Sequence, residues 1–305
     1  MSDRGRLLLT GATGFLGRHV LNEALNAGFE VHATARSAGK SAEMSEPRVV
    51  WHHLDLRDGA ATSGLIRELV PSHLVNAAWD TRHGTYWTSD ENNIWVATAL
   101  DMIEAFADCG GRRFVQIGSC AEYEWGSGVL REDVAPENPA TPYGRAKLAV
   151  HRALHEAAAN RGFSAATARI FFAFGPFENE ARIIPSLCRA LSSGAPCSIA
   201  NPGKVRDPLF VTDAARAVMA IAQSEAVSGA VNVGSGEPVA LGDVGLYLET
   251  LSKTTGLLSL GAREKGSNDA LVADISKLTS TGWTRAVPLW QGLHQAYSWW
   301  ADGPL

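Results

Sequence analysis

The sequence predicts an α/β fold, in which a doubly wound parallel sheet is followed by a smaller, irregular C-terminal part. Three observations support this prediction. Short β-rich runs alternate with helical segments through the first half of the chain. A glycine-rich turn joins the first predicted strand to the first predicted helix. Beyond about residue 173, frequent proline and glycine residues break the chain into short pieces.

Six apolar, β-rich runs are the candidate strands, and they lie at residues 6–11, 30–36, 49–55, 73–78, 113–119 and 165–172. Segments with helical spacing of apolar residues separate them, including 17–28, 92–110 and 143–162. Several of these segments end in glycine, a common stop for a helix. Because strands that alternate with helices need right-handed crossovers, we expect a parallel sheet that helices cover on both faces.

The bulk composition excludes several classes of protein. A formal net charge of −5, with no run of lysine or arginine, argues against a nucleic-acid-binding protein. The four cysteines form no C-x-x-C pair and have no histidine cluster near them, so reduced thiols and no metal site are expected. The apolar run at residues 7–9 is too short for a secretion signal, and no stretch approaches a membrane span. We therefore expect a soluble, cytoplasmic protein.

The stretch TGATGFLG, residues 10–17, lies between the first strand and the first helix. Its glycines are three residues apart, a spacing that differs from the G-x-G-x-x-G of the usual dinucleotide fingerprint. Glycine lets the backbone turn tightly and approach a pyrophosphate at the N-terminus of a helix. The turn therefore predicts a Rossmann-type dinucleotide site, with contacts from Gly11, Thr13, Gly14, Phe15, Leu16 and Gly17.

The end of the second strand indicates which dinucleotide is bound. Sites for NAD place an acidic residue there, about 20 residues after the glycines, to accept hydrogen bonds from the ribose hydroxyls. This chain has Ala35 at that place and Arg36 after it. A guanidinium pairs with the 2′-phosphate that distinguishes NADP, and no carboxylate is expected nearby to repel that phosphate. We therefore expect NADP(H) as the cofactor, with Arg36 as the discriminating residue.

The ends of the third and fourth strands complete the predicted cofactor site. Asp55 and Leu56 close the third strand, where the adenine ring is expected. Asn76, Ala77 and Ala78 close the fourth strand, near the second ribose or the pyrophosphate. Because open α/β sheets bind ligands at the carboxyl edge of their strands, these residues are expected to line one site.

The stretch TPYGRAK, residues 141–147, places Tyr143 and Lys147 one helical turn apart on the same face. Alone, such a pair usually means a packed tyrosine and a solvated lysine. Ser119, however, ends the fifth strand at the ligand-binding edge of the sheet, so that the three groups can converge beside a nicotinamide. We expect the Lys147 ammonium, together with the positive ring of the oxidised cofactor, to lower the pKa of the Tyr143 phenol from about 10 toward neutral pH. Ser119 would hold the oxygen of the substrate.

Together these motifs resemble the extended short-chain dehydrogenase/reductases, and more narrowly their branch of nucleotide-sugar epimerases, dehydratases and reductases. The likeness covers about residues 6–300 and includes the segments RIFFAFGP (169–176), VRDPLFVTDAARAV (205–218), VNVGSGEPVAL (231–241) and ADISKLTSTGW (273–283). It implies a Ser/Tyr/Lys triad and a site for a nucleotide-diphospho-sugar between the two parts of the chain. It also implies that Arg206 approaches the diphosphate, and Arg182 is a second candidate. Either arginine could instead belong to a surface ion pair.

The sequence also predicts a division of the chain into two parts. The dinucleotide-binding domain is expected to comprise residues 1–172 and 204–227, and the substrate-binding part residues 173–203 and 228–305. Family members pair two helices in a dimer seam, and the corresponding helices here carry apolar residues around much of their circumference. A homodimer is therefore expected. The aromatic loop at residues 79–87 is expected to serve in packing or as a lid more than as a wall for the sugar.

The residues that follow Ser119 limit which of the family's reactions this chain can catalyse. In the family's 4,6-dehydratases an acidic pair follows the catalytic serine or threonine, whereas this chain has Cys120 and Ala121. A related epimerase–reductase has its acidic cysteine two residues after the serine, whereas Cys120 is one place early. Glu122 is a further acid whose direction the sequence does not determine. Simple hydride transfer remains, so we predict an NADPH-dependent reductase of a nucleotide-activated 4-keto-6-deoxy sugar.

Three alternatives stay open at this point. A nucleotide-sugar 4-epimerase uses the same triad, but such enzymes usually recycle NAD, which disagrees with Ala35 and Arg36. A reductase of a non-nucleotide carbonyl substrate shares the Tyr–Lys pair and does not need Arg206. A non-catalytic NADP-binding protein is disfavoured by the retained Ser119, Tyr143 and Lys147. The sequence does not identify the nucleotide, the sugar or the configuration at C4.

Overall fold

The computed structural model describes residues 4–42, 44, 46–126, 128–262 and 270–303. The first half of the chain contains, in order, β1 (Arg6–Thr10), α1 (Phe15–Asn26), β2 (Glu30–Ala35), α2 (Ala38–Ala42), β3 (Val49–His53), α3 (Gly59–Leu69), β4 (His73–Asn76), α4 (Glu91–Asp108), β5 (Arg113–Ser119), a 3₁₀ turn (Cys120–Glu122), β6 (Gly128–Leu130), α5 (Pro142–Arg161) and β7 (Ser164–Ile170). The second half contains β8 (Phe172–Phe174), α6 (Ile183–Ser192), β9 (Cys197–Ile199), β10 (Val205–Arg206), β11 (Pro208–Phe210), α7 (Val211–Gln223), β12 (Gly229–Val233), β13 (Val239–Ala240), α8 (Leu241–Ser252), β14 (Leu258–Leu260), β15 (Leu271–Ala273), α9 (Ser276–Thr279) and α10 (Leu289–Asp302).

Seven parallel strands form the main sheet in the order β12-β7-β5-β4-β1-β2-β3. Leu7 of β1 pairs with Val31 of β2 on one side and with His73 of β4 on the other. Strands β2 and β3 therefore lie on one side of β1, and β4 lies on the other, so the strand order reverses at β1. Open α/β sheets bind ligands at such a reversal of strand order. The predicted doubly wound α/β fold is confirmed.

Side chains that alternate along β1 enter two hydrophobic layers, one on each face of the sheet. Leu7 and Leu9 pack with Leu21 of α1 and with the apolar side of α7. Leu8 points to the opposite face, where it belongs to a cluster with Phe106 of α4 and with residues of α3 and α5. Helices therefore cover both faces, as the alternating pattern predicted.

The predicted strand at 113–119 matches β5, whereas the predictions 49–55 and 73–78 extend two residues beyond β3 and β4. Beyond β3 the chain makes one more backbone hydrogen bond, from Leu54 N–H to Ala35 O, and then turns away. These last residues form the loops at the carboxyl edge of the sheet.

The division of the chain needs one correction. The prediction placed residues 228–305 in the substrate-binding part. Gly229–Val233, however, pairs in parallel with β7 and forms an edge strand of the main sheet. This segment therefore belongs to the larger layer, because its buried apolar residues cover the same core as α7. The remainder of the division stays a prediction.

The smaller part consists mainly of α6, α8 and α10, which pack around Phe174, Phe210 and Leu293. Among the described residues, short two-stranded pairs lie outside the main sheet, namely β8–β11, β9–β14, β10–β13 and β6–β15. The β6–β15 pair brings the last third of the chain beside the segment that follows β5. Within the described ranges, no helix has both the length and the apolar character needed to cross a membrane.

Candidate active site

The glycine-rich turn packs tightly against the end of β4. Gly11 has φ of +68°, and a Cβ atom on it would lie 2.7 Å from both Ala77 O and Ala78 N. A Cβ on Gly17 would lie 2.0 Å from Gly11 O. Ala77 and Ala78 thus contact the turn, and any larger residue at Gly11 or Gly17 would push the turn away. Their contact with the cofactor stays a prediction.

The N-terminus of α1 fits a dinucleotide pyrophosphate. Gly14 caps the helix with extended backbone and no side-chain hydrogen bond, and the first turn contains no acidic residue. The N–H groups at this end, which include those of Phe15 and Leu16, carry the partial positive charge of the helix dipole. Thr13 lies in the turn, where its carbonyl accepts a hydrogen bond of 3.2 Å from Arg18. A negatively charged group is therefore favoured here.

The end of β2 carries a charged cluster that the sequence showed only in part. Arg36 is exposed directly after the strand. Hydrogen bonds from Arg57, and the charge of Arg36, lower the pKa of Asp55 to about 2. Partial burial opposes the charged form of Asp80, but hydrogen bonds from Arg82, with a smaller contribution from the charge of Arg36, lower its pKa overall. The charge of Arg36 therefore reaches one carboxylate in each of the loops after β3 and β4, and both carboxylates are paired with other arginines.

Two of the predicted cofactor-binding residues, Asp55 and Leu56, have side chains that contact other residues of the protein. The Asp55 carboxylate binds Arg57, with 2.6 Å between Oδ2 and Nη2. Leu56 is buried and packs in the hydrophobic layer with Ile66. Their contact with an adenine ring stays a prediction that concerns the backbone and the outer rim of this loop.

Asn76 is a third such residue. Its Oδ1 accepts a hydrogen bond of 2.6 Å from Thr10, and its Nδ2 donates one of 2.9 Å to Gln116. The side chain is buried, so it ties β1, β4 and β5 together at the edge of the sheet. It therefore supports the glycine-rich turn, and a contact of Asn76 with the cofactor stays a prediction.

Ser119, Tyr143 and Lys147 lie together in the structure. Ser119 ends β5, and its side chain hydrogen-bonds with the Tyr143 phenol. Tyr143 lies in the first turn of α5, which begins with Pro142 and is capped by Thr141, whose Oγ1 accepts from Gly144 N–H at 3.1 Å. Lys147 follows one turn later, with its Nζ 5.9 Å from the centroid of the Tyr143 ring. Residues from two distant segments thus form one cluster, as the sequence predicted.

Burial dominates the electrostatics of this cluster. Burial, and then the neighbouring Tyr86, raise the pKa of the Tyr143 phenol above its usual range, and the hydrogen bond with Ser119 opposes this only in part. Burial also lowers the pKa of Lys147 to about 7. The Lys147 ammonium donates to Ile117 O at 2.9 Å instead of to the phenol. The pKa of Tyr143 is therefore raised by the protein itself, and the phenol is protonated at neutral pH. The lowering expected beside the oxidised cofactor stays a prediction.

Aromatic residues of the 79–87 loop surround the Tyr143 ring. Its centroid lies 6.3 Å from that of Trp79, 4.9 Å from that of Tyr86 and 5.4 Å from that of Trp87, all at steep angles. The backbone N–H of Tyr143 also donates to Trp87 O at 3.2 Å. The loop therefore packs on Tyr143, which agrees with the prediction of a packing role. Trp125 lies further out, 43 % exposed, against Trp87.

A buried ion pair, which the sequence reasoning missed, holds Ser119 in place. Glu122 Oε1 accepts from Ser119 N–H at 2.8 Å, and Ser119 Oγ accepts from Ala121 N–H at 3.1 Å. Arg169 of β7 donates to Glu122 Oε2 at 2.7 Å, and both side chains are completely buried. The S-x-x-E spacing of a capping box, visible at residues 119–122, was a usable signal for the local half of this arrangement. Its partner Arg169 had no local signal.

The two predicted substrate arginines contact different aromatic residues. Arg182 caps α6, and its guanidinium lies 6.0 Å from the Tyr86 ring centroid and hydrogen-bonds with that tyrosine. Arg206 is buried in β10, where it donates to Val205 O at 2.8 Å and lies 5.4 Å from the Phe172 ring. The charge of Arg206 also reaches Cys120, the residue after Ser119. Neither arginine is therefore remote from the Ser119–Tyr143 pair.

Comparison with known proteins decides the family. A family model described as the NAD dependent epimerase/dehydratase family matches residues 7–234. The chain belongs to this family. The resemblance to the extended short-chain dehydrogenase/reductases is thereby confirmed, and the protein is an NAD(P)-dependent enzyme of the oxidoreductase type.

Three similar proteins illustrate the range of this epimerase/dehydratase family. A probable GDP-L-fucose synthase 1 of Oryza sativa subsp. japonica is 23 % identical, with 100 % of this chain and 95 % of the relative covered. A dTDP-6-deoxy-L-talose 4-dehydrogenase (NAD(P)(+)) of Kitasatospora kifunensis is 28 % identical, with 76 % and 74 % covered. Among solved structures, MoeE5 in complex with UDP-glucose and NAD has a TM-score of 0.84 at 27 % identity, with 98 % and 99 % covered.

In this epimerase/dehydratase-family enzyme, the position directly after the serine offers no acid or base for neutral pH. Burial raises the pKa of the Cys120 thiol to about 12. Ala121 is buried and apolar. Glu122, the next residue, is held by Arg169 and by the backbone of Ser119. Within the described part of the chain, no group of three or more His, Cys, Asp or Glu residues could hold a metal ion.

Proposed function

We propose that this enzyme is an NADPH-dependent reductase of a nucleotide-activated 4-keto-6-deoxy sugar. One observation carries the proposal: a buried, protonated Tyr143 shares a hydrogen bond with Ser119, and the adjacent positions lack the acid–base groups that elimination requires. The Kitasatospora relative is a dTDP-6-deoxy-L-talose 4-dehydrogenase, whose redox chemistry at C4 of a nucleotide-bound deoxy sugar supports the same class of substrate.

The residues divide the work of adding a hydride and a proton across a C4 carbonyl. Bound NADPH supplies the hydride. Ser119 donates a hydrogen bond to the carbonyl oxygen and holds it against the Tyr143 hydroxyl. Tyr143 then gives its proton to that oxygen as negative charge develops there, and the product is the C4 alcohol. The Lys147 ammonium, one turn away on α5, favours the charge that remains on the phenolate.

The cofactor would lie along the carboxyl edge of the sheet. The backbone of residues 11–17 would hold the pyrophosphate, and Tyr143 with Lys147 would face the nicotinamide end. We infer a preference for NADPH from Arg36, and Arg57 adds a second guanidinium beside Asp55. The presence of NAD in the MoeE5 complex is the observation that favours the alternative cofactor.

The Arg36→Asp substitution tests this preference. It removes the cation at the end of β2 and adds a carboxylate, so the KM for NADPH should rise by about 10- to 100-fold while that for NADH changes little. Initial rates with both cofactors measure this. Arg48→Asp is the matched control, since Arg48 is also exposed but pairs with Glu46 before β3. An unchanged NADPH/NADH ratio in Arg36→Asp would show that another residue selects the cofactor.

We also propose that Arg206 and Arg182 contact the diphosphate of the substrate. A homodimer is proposed as well. Helix α4 exposes Ile94 and Leu100 by 42 % and 39 %, which supports a partner surface on that helix.

A turnover assay separates this function from its alternatives. With a dTDP- or GDP-linked 4-keto-6-deoxy sugar, we expect one NADPH oxidised for each C4 alcohol formed, followed by absorbance and by product analysis. Interconversion of C4 epimers without net cofactor change would establish the 4-epimerase instead. Turnover of small carbonyl compounds alone would indicate a non-nucleotide substrate. Binding of NADPH without turnover of any of them would contradict a reductase.

A further inference from the structure

Lys147 is a buried cation with a sparse set of polar partners. Its side chain is 3 % exposed, and an ammonium has three donors to satisfy. One donor is directed to Ile117 O of β5. The Nζ atom also lies 3.9 Å from the centroid of the Trp79 ring, within the range of a cation–π contact. The indole face therefore covers one side of the cation.

Trp79 is itself held in this orientation. Its Nε1 donates to Asn92 Oδ1 at 2.9 Å, and Asn92 Nδ2 donates to Tyr86 O at 2.8 Å. Trp95 of α4 stacks on the indole, with ring centroids 6.3 Å apart. The ring cannot rotate away from Lys147 without breaking these contacts, so the cation meets a preformed aromatic surface.

We propose that Trp79 is a positioning residue of the reaction, whose indole face keeps Lys147 in its charged form beside Tyr143. The proposal rests on the proposed function for the part that Lys147 plays in catalysis. Tyr143 packs against the same ring, because the centroids of the Trp79 and Tyr143 rings are 6.3 Å apart and their planes meet at 80°. A single residue after β4 thus contacts both members of the Tyr–Lys pair.

Because the pKa of Lys147 lies near neutral pH, a modest contribution from the Trp79 ring changes the fraction of Lys147 that is charged. Burial lowers its pKa to about 7, and the Glu122 carboxylate in the turn after β5 opposes that change. Beyond Glu122 lies its partner Arg169 on β7, and on its own helix Lys147 faces the protonated Tyr143. With a pKa near neutrality, a change of about one unit moves the charged fraction at pH 7 from about half to about one tenth. A desolvated cation–π contact has an effect of about this size.

The test is a titration of Lys147 itself by NMR. The chain has six lysines, so protein labelled with 13C at lysine Cε gives few signals, and Lys147→Arg assigns the one of interest. We expect Trp79→Leu to lower the pKa of Lys147 by about one unit, and Trp79→Phe to lower it by less, because phenylalanine is the weaker cation–π partner. Trp87→Leu removes another ring from Tyr143, and it should leave Lys147 unchanged.

The outcomes are distinct. An unchanged or raised pKa in Trp79→Leu would overturn the proposal, since a raised value means that water entering the space matters more than the lost indole. An equal shift in Trp87→Leu would also overturn it. If Trp79→Leu does not fold, the shift in Trp79→Phe decides. The titration needs no substrate, so it remains decisive even if the turnover assay refutes the proposed reduction.

The same variants predict a change in the pH profile. A reaction that needs charged Lys147 loses rate as pH rises through the lysine pKa, so this alkaline limb should move to lower pH in Trp79→Leu. A merely structural defect would lower kcat at every pH and leave the limb in place, and that result would contradict the positioning role.

Discussion

Tyr143→Phe is expected to lower kcat by about 10²- to 10⁴-fold, the usual contribution of a positioned proton donor. The substitution removes only the hydroxyl, because the phenylalanine ring keeps its contacts with Trp79, Tyr86 and Trp87. Initial rates of NADPH oxidation with a 4-keto-6-deoxy sugar nucleotide measure the loss. NADPH binding, followed by fluorescence, and the melting temperature should remain close to those of the wild type.

Tyr86→Phe is the matched control for this prediction. It makes the same chemical change in a ring that lies 4.9 Å away. Since the Tyr86 hydroxyl pairs with Arg182 and not with Ser119, its loss should act on KM for the sugar nucleotide more than on kcat. Near-normal kcat in Tyr143→Phe, or an equal fall in kcat in both variants, would show that Tyr143 is not the proton donor.

The largest effect on stability is expected from Arg169→Met. Arg169 and Glu122 are both completely buried, and removal of one partner leaves a buried charge uncompensated. We expect the free energy of unfolding to fall by about 3–5 kcal/mol, measured by urea denaturation. Ser119 should also lose its anchor, because the Glu122 carboxylate that accepts from its N–H becomes unpaired.

A double variant separates the cost of the unpaired charge from the loss of the pair itself. Glu122→Gln with Arg169→Met removes both charges, and it should recover much of the stability because replacing a buried pair is often nearly neutral. Its kcat should stay below that of the wild type, since the Ser119 backbone loses a charged acceptor. Arg48→Met breaks an exposed pair and should change stability little. An Arg169→Met protein as stable as the wild type would contradict this account.

Much of the fold could be predicted because each helix or strand depends on the spacing of apolar residues within its own segment. The β-rich run at 113–119 and the helical run at 143–162 coincide closely with β5 and α5. Tyr143 and Lys147 share a face because the helix period requires it. β12 was missed as part of the main sheet because its five residues, Gly229–Val233, form a short run among turn-rich segments. Its place in the sheet depends on its pairing with β7, and no local pattern in the sequence indicates that pairing.

The candidate site shows the same division. The positions of the glycine-rich turn, Ser119 and Arg36 follow from where strands end, which the pattern predicted. The hydrogen bonds of Asn76 with Thr10 and Gln116 were not predicted, because those partners lie on two other strands. The two carboxylates that the charge of Arg36 reaches come from separate loops.

The sequence alone determined the class of fold, the dinucleotide turn and the Ser–Tyr–Lys set, because each depends on spacing within one segment or on the shared edge of parallel strands. Only the tertiary structure decided the protonation of that set. Tyr143 keeps its proton and Lys147 titrates near neutrality because distant segments bury them, and Trp79 and Glu122 then act on the cation across that buried space. A pKa sums desolvation and charge over everything packed around a group, and that surrounding is set by the assembled fold.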